Sequence, residues 1–518
     1  MRPEKANDEP DGMTRSTRDI LLTGGTGFLG HYLLAELLAR PQVRCRVLIR
    51  PPLSAGVRRL GRLLGDLGIV LDDWIQQGRV QLIEGALPDP IGSAEMRGVT
   101  DIVHAAANTA FDADVGGEPA RTNVDGTRAL LEAAEKAGVR RFVFISTAYV
   151  CGERSGRIAE DLLPRPAAWR NAYEQSKWEA EQWVRRWRTP WRTVTICRPS
   201  ILFGARATGR ATVMNGLYLI ARATELLGRA VADDPAADRH HVPLRILGRK
   251  EATANLVPVD WAAERVAEIV LEGRSNGMVH HVTNPDPPTQ LEIKRWLEEY
   301  FDLAGGTFSD ESWPLANPNH YEELFYSMGN ILEDYFRDDL SFVSRNVGGQ
   351  SGNGRLVDRD VFFRCLRHAQ ATNWGRQTAK TPAAASAGAL AASQENDFDP
   401  KWYFEEFLPR TVPQSKVAQV DALTTVVRFV ITEPTEWAWM CRFEKGQLAE
   451  VCEGRDGLTE AFGYRISYDA FKDAVAARTP LQSIFFDGRA DMFGDIDQAL
   501  KMVSIMRQFL DEFPVAAP

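Results

Sequence analysis

The sequence predicts an α/β fold, a doubly wound parallel sheet with a substrate-covering lobe, followed by a smaller α+β domain. Three observations carry this. Residues 20–30, ILLTGGTGFLG, run from an apolar strand pattern into glycines spaced by three (Gly24, Gly27, Gly30), and Leu29, Leu33, Leu34, Leu37 and Leu38 then recur at helical spacing. Short apolar runs alternate with helical patterns up to Ile145, as strands buried on both faces require. Beyond an Ala/Ser-rich stretch at residues 378–400, strand-like runs come first and helical ones follow.

In chain order, residues 1–17 are polar, mixed in charge and read as a disordered tail. Val43–Ile49 is a second strand, Arg58–Leu71 a helix with leucines at 60, 63, 64 and 67, and Val80–Ile83 a third strand. Asp101–His104 leads into the small-residue turn Ala105–Ala107, Gly126–Ala137 is a helix, and Arg141–Ile145 a strand. From Gly204 the pattern loosens into the lobe, with helical stretches at Val213–Leu227, Val266–Leu271 and Ile293–Tyr300 and a short apolar stretch at Asn255–Val259. The main domain is set at residues 18–300, with a poorly defined helical extension over 301–377. Residues 378–400 are the linker, and 401–514 the α+β domain, with strands within Val420–Thr432 and Trp437–Val451 and helices at Ser467–Ala476 and Ile496–Phe509.

Composition narrows the function. The chain has 518 residues, 44% hydrophobic and 25% charged, with a net charge of -9, which argues against nonspecific nucleic-acid binding. Six scattered cysteines without a CxxC pair suit a reducing compartment, and a cytoplasmic location is expected. No apolar run reaches the roughly 18 residues of a membrane span, and the N-terminus lacks the apolar core of a signal peptide. His240-His241 and His280-His281 lack metal-ligand spacing, so no metal site is expected. Trp183, Trp187 and Trp191, four apart, read as a packed helix face.

A strand, glycine turn and helix in this order form a dinucleotide site, because the turn lets backbone approach a pyrophosphate and the helix N-terminus supplies N–H groups. Tyr173 and Lys177, four apart on a helix, share one face. A neighbouring ammonium lowers a phenol's pKa, so the pair can relay a proton to a carbonyl oxygen while hydride moves to carbon. Ser146 or Thr147, at a strand's C-terminal end, can hydrogen-bond that oxygen. Arg50 ends the second strand where an acid would bind a ribose 2′-hydroxyl; with Arg58 and Arg59 nearby, and no acid between Val43 and Arg59, NADPH is favoured over NAD.

TGGTGFLG, VHAAA, Asn123-Val-Asp-Gly-Thr, FISTAYVCG, NAYEQSKWEAE and CRPSILFG together resemble the extended short-chain dehydrogenase/reductase superfamily over residues 18–300, and within it the thioester-reductase and fatty acyl-CoA reductase branch. The resemblance implies a Rossmann-type fold and NADPH-dependent reduction of an acyl thioester, on CoA or a carrier protein, to an aldehyde and in some members the alcohol. It places the catalytic roles on Thr147, Tyr173 and Lys177. Cofactor contacts fall on Thr23, Gly24, Thr26, Gly27, Phe28, Leu29, Gly30, Arg50, Arg59, Ala105, Ala106, Asn123, Ser146, Lys177, Pro199 and Ser200. Where the family has Gly-Asp-Leu after the third strand, this chain has Gly85-Ala86-Leu87, so adenine anchoring must differ or weaken. Steroid dehydrogenases and nucleotide-sugar epimerases share the same triad and stand as alternatives, and a non-catalytic scaffold is a third. Residues 401–514, above all FFDGRADMFGDIDQALKMVSIMRQF with Gly488 and Gly494-Asp495, resemble the sterol-carrier-protein-2-like lipid-binding fold. That implies an apolar tunnel for a lipid; the alternative is a docking or dimerisation domain. Oligomeric state is not legible.

Overall fold

The structure, a computed structural model, describes residues 17–89, 92, 95–111, 113, 116–235, 237–272, 278–327, 335, 340–344, 355–375, 398–416, 424–432, 436–454, 459–476, 484, 490–513 and 515. The expected tail (save Thr17), most of the linker and Gly488 lie outside these residues. The chain divides into two compact units. One comprises residues 1–211, 251–292 and 336–365, the other residues 212–250, 293–335 and 366–518.

The first unit is built on β1 (Arg18–Thr23), α1 (Phe28–Leu38), β2 (Val43–Ile49), α2 (Leu53–Gly65), α3 (Leu71–Gln76), β3 (Val80–Glu84), β4 (Asp101–His104), α4 (Gly126–Lys136), β5 (Arg141–Ile145), α5 (Ala172–Trp187), β6 (Thr193–Pro199), α6 (Val259–Glu272) and β7 (Val279–Val282). The strands form one sheet in the order β7-β6-β5-β4-β1-β2-β3. Every pairing in it is parallel. The order reverses between β4 and β1, which opens a crevice at the strands' C-terminal ends.

Ile20 and Leu22 on β1 join one apolar layer with Leu33, Leu34 and Leu37 of α1 and Val266 and Val270 of α6. Leu21 faces the opposite layer, with Ile102, Phe142, Phe144, Leu130 and Val184. The period-2 alternation of a strand thus feeds two cores, so its sequence is continuously apolar. Each fully buried leucine contributes about 1.5–3 kcal/mol.

The helix expected over Arg58–Leu71 instead begins at Leu53, directly after Pro52 (φ −78°), and stops at Gly65. The chain then turns through Gly68 at φ 76° before α3 starts. A left-handed residue cannot continue a helix, which is why the leucine period ends there. The apolar stretch at Asn255–Val259 is a strand, Leu256–Pro258, parallel to Ile201–Phe203.

In the second unit the lobe helix runs Leu217–Asp233, and Leu227 and Val231 on it pack with Val242, Leu244 and Leu303. Its C-terminal part carries β8 (Thr425–Thr432), β9 (Trp437–Glu444), β10 (Gln447–Glu453), β11 (Phe462–Ser467) and β12 (Ala490–Gly494). Their order is β10-β9-β8-β11-β12, an antiparallel meander with β11 returning parallel to β8. The expectation of strands before helices is corrected here. A helical segment over residues 400–414 precedes the sheet, opened by Asp399, which accepts from Lys401 N–H at 2.9 Å. Its Tyr403, Phe404, Leu408 and Val412 join the same core as Phe429, Trp439 and Tyr464 of the sheet. Asp495 caps the last helix, Ile496–Glu512, by accepting from Gln498 N–H at 3.0 Å.

Candidate active site

The glycine turn follows β1. Gly24 adopts φ 74°, and a Cβ there would lie 2.6 Å from the carbonyl carbon of Ala105 and from Ala106 N. A Cβ on Gly30 would meet the Gly24 carbonyl oxygen at 1.9 Å. Both positions therefore demand glycine. Gly27 N–H closes the turn onto Gly24 O at 2.8 Å. The N-cap position of α1, Gly27, makes no side-chain cap bond, and no acid stands in the helix's first turn. Its N–H groups and positive dipole end are left for an anion. This cradle fits a dinucleotide diphosphate.

Arg59 Nε donates to Thr26 O at 3.2 Å, which ties α2 to the turn. Partial burial, then the charges of Arg62 and Arg50, hold the Arg59 guanidinium below its ordinary pKa. Like charges gathered this way favour a bound anion.

The other half of the site is α5. Asn171 Oδ1 accepts from Glu174 N–H at 2.9 Å and caps the helix. Buried Glu174 pairs with Arg170 at 3.5 Å. Tyr173 lies in the first turn, half-buried, with Lys177 one turn on. Lys177 is 2% exposed. Its Nζ donates to Ile145 O at 2.6 Å and stands 4.2 Å from the centre of the Phe144 ring. Burial pulls its pKa down to about 7, against the opposing pull of Glu181. Burial, then the Glu174 charge, pushes the Tyr173 phenol well up. The expectation of a phenol tuned downward by its neighbour is therefore not what the fold builds: the ammonium is turned to the main chain of β5.

Lys177 thus reaches the end of β5, where Ser146 and Thr147 follow. Thr147 Oγ1 accepts from Tyr149 N–H at 3.3 Å and starts the turn Ala148–Cys151. Ser146 is 3% exposed, and its Oγ has no hydrogen-bond partner among the described residues. A buried hydroxyl left unpaired costs about 1–3 kcal/mol, so it marks a place for a ligand atom. Behind α5, Arg198 grips Glu181 through Nε–Oε1 at 2.9 Å and Nη2–Oε2 at 2.7 Å, both side chains buried.

Several expected cofactor residues hydrogen-bond within the protein. Asn123 spends its whole amide inside the protein: Oδ1 accepts from Asn108 N–H, and Nδ2 donates to Asn108 O and to Ser176 Oγ, each at 2.8 Å. Ser200 Oγ donates to Asn255 Oδ1 at 2.6 Å, so its hydroxyl proton is committed. Thr23 Oγ1 accepts from Ala106 N–H at 3.1 Å and meets His104 Nδ1 at 2.7 Å. Of these three, Thr23 bears on the cradle, through Ala106. Leu29, in the first turn of α1, is buried in the core, and Pro199 ends β6. Sequence reasoning missed His104 and Ser176; the available signal was a histidine closing an otherwise apolar strand. Of the paired histidines, His240 and His241 are exposed and His280 and His281 are buried on β7. Trp187 packs inward and donates to Leu131 O at 3.1 Å, whereas Trp191 lies beyond the helix and is 81% exposed.

Fold and site together define a doubly wound α/β domain of Rossmann type with a cradle for a dinucleotide. Residues 22–266 match the family described as Male sterility protein. Among curated relatives, the non-canonical nonribosomal peptide synthetase FrzA of Cladobotryum sp is 27% identical over 331 residues, 58% of this chain and 29% of that protein. The isonitrile lipopeptide synthase of Streptomyces coeruleorubidus is 28% identical over 387 residues, 68% of this chain and 24% of that protein. The chain therefore spans under a third of the length of either. Among solved structures, the terminal R domain from the myxalamid PKS-NRPS biosynthetic pathway shares the fold, with TM-score 0.56, 22% identity, and coverage of 70% of this chain and 92% of that one.

Proposed function

We propose that this chain reduces an acyl thioester to an aldehyde, with NADPH as reductant and the acyl group carried on CoA or on a carrier protein. The observation that carries the reading is the docking of the Tyr173/Lys177 helix against the end of β5, beside the unpaired Ser146 hydroxyl. NADPH would supply the hydride to the thioester carbon. Tyr173 gives its phenolic proton to the carbonyl oxygen, Thr147 and Ser146 hydrogen-bond that oxygen, and the thiohemiacetal so formed breaks its C–S bond as its hydroxyl proton passes to the leaving thiolate, releasing thiol and aldehyde. A second round on the aldehyde gives the alcohol. The likeness to a nonribosomal peptide synthetase and to the terminal R domain of a PKS-NRPS pathway favours a carrier-bound substrate. Among the described residues no helix is long and apolar enough to cross a membrane. A lipid site in residues 401–514 rests on resemblance alone. Phe404 stacks on Trp439 at 4.7 Å and on Phe471 at 5.6 Å, an interior that favours the docking-domain reading.

The test follows NADPH and NADH oxidation, with product analysis, on acyl-CoA and acyl-carrier thioesters of graded length. Aldehyde formed with NADPH supports the reading; turnover of hydroxysteroids or nucleotide sugars instead replaces it. Arg59 gives a second readout. Arg59→Ser should raise the KM for NADPH about 10–100-fold, the worth of one charged hydrogen bond to a phosphate, and leave the KM for NADH within about twofold. Equal losses with both cofactors would remove Arg59 from 2′-phosphate recognition.

A further inference from the structure

One buried polar chain runs through the first unit. His104 closes β4 and is fully buried, as are Thr23 and Thr127 on either side of it. Its Nδ1 meets Thr23 Oγ1 at 2.7 Å, and its Nε2 meets Thr127 Oγ1 at 3.0 Å. Heavy-atom positions alone leave the tautomer open, but the partners settle it. Thr127 Oγ1 donates to Asn123 O at 2.6 Å, and a carbonyl can only accept. A hydroxyl has one proton, so Thr127 has none left for His104 and must accept from it. His104 therefore carries its proton on Nε2 and accepts at Nδ1. Thr23 Oγ1 donates to that Nδ1, consistent with its own acceptance from Ala106 N–H at 3.1 Å.

The directions continue past Asn123. Its Nδ2 donates to Ser176 Oγ, and Ser176 Oγ donates to Tyr173 O at 2.8 Å. Each hydroxyl and amide on this path thus has an assigned role. One end is Ala106, whose N lies where a Cβ on Gly24 would collide. The other end is the main chain of Tyr173.

We infer that His104 is a positioning residue, held as the Nε2–H imidazole, which joins the glycine turn after β1 to the helix bearing Tyr173 and Lys177 through one buried chain of directed hydrogen bonds. A charged imidazole would give Thr23 a second donor to face and break the chain at that link. Burial, then the Lys177 charge, pulls the His104 pKa down to about 3, which keeps the ring neutral. Asn123 acts in the chain through both its carbonyl and its amide, so it sets the Asn108 loop and α5 together. The kinetic part of this inference rests on the reductase reading above; the spectroscopic part does not.

The test uses the full chain with 15N-labelled histidine. The His104 signal is assigned by its loss in His104→Gln. A protonated-type shift at Nε2, an unprotonated-type shift at Nδ1 and no titration from about pH 5 to 8 are expected. The opposite tautomer, or a titration in that range, overturns the inference whatever the enzyme's substrate. In parallel, NADPH affinity, kcat and Tm are measured for His104→Gln and Ser176→Ala. Ser176→Ala cuts only the Tyr173 end, so kcat should fall about tenfold with NADPH affinity within twofold of wild type. His104→Gln should lower kcat and weaken NADPH binding about threefold or more. Variants that lose Tm but keep wild-type kcat and NADPH affinity per folded molecule would make the chain structural only and refute its positioning role.

Discussion

Tyr173→Phe is expected to abolish turnover, by about 10²–10⁴-fold in kcat, while NADPH affinity stays within about twofold of wild type. The substitution removes one oxygen from a half-buried ring at the start of α5 and leaves the capping by Asn171 and the Arg170–Glu174 pair intact. The fold therefore has no reason to change. Burial, then the Glu174 charge, keeps the phenol protonated throughout the physiological range, so the proton is present, though the raised pKa makes it a weak acid that donates only to an oxygen gaining negative charge. That matches a step in which it gives up a proton as negative charge develops on the carbonyl oxygen. Stopped-flow NADPH oxidation with a thioester, together with a cofactor titration, checks both halves. Turnover within tenfold of wild type would remove Tyr173 as the proton donor.

Lys177→Met is expected to do two opposite things: remove turnover and raise stability below neutral pH. A lysine with its pKa near 7 in the fold and near 10.5 unfolded makes the folded state release a proton that the unfolded chain keeps. Stability therefore rises with pH between about 7 and 10.5, and the full cost of burying the ammonium is present below 7. Methionine is close in volume and carries no charge. It removes that cost, several kcal/mol on this scale, less about 1 kcal/mol for the lost hydrogen bond to Ile145 O. At pH 6 the Tm of the variant should exceed wild type by about 5 °C or more, and the gap should close as pH approaches 10. Thermal scans at three pH values read this directly. A variant less stable than wild type at pH 6 would mean that the Ile145 bond and the Phe144 ring outweigh desolvation.

The sheet was legible because its signals are local. The run Ile20–Leu22, the glycines at 24, 27 and 30 and the leucines of α1 all fall within one window, β5 carries the uninterrupted apolar run Phe142–Ile145, and β2 alternates Val43, Cys45 and Val47 with arginines before Leu48 and Ile49. The Tyr173/Lys177 spacing was equally plain. What Lys177 would bond to was not, because Ile145 lies 32 residues away in sequence and offers only a carbonyl. The same holds for His104, whose partners Thr23 and Thr127 lie 81 and 23 residues away. Asn123 was read as a cofactor contact from its motif, and only the fold reveals that Asn108 and Ser176 use up its amide. The start of α2 was misplaced because its leucine period begins after the helix does. The helical segment before β8 was missed because KWYFEEF carries aromatics on more than one face.

An interior strand of the large sheet is the first to be made. β1 lies between β2 and β4, and the sheet's far edge, β7, ends at Val282. During synthesis β1, β2 and β3 can pair among themselves early, but the other flank of β1 stays open until β4 emerges. β6 then presents a bare edge until β7 follows, after the whole stretch from Ile201 to Val279 has been translated. Exposed parallel edges of this kind invite pairing with another chain. The large sheet is thus most vulnerable to misassembly midway through synthesis, just before Val279 emerges, when its other six strands have been made but its edge strand is missing.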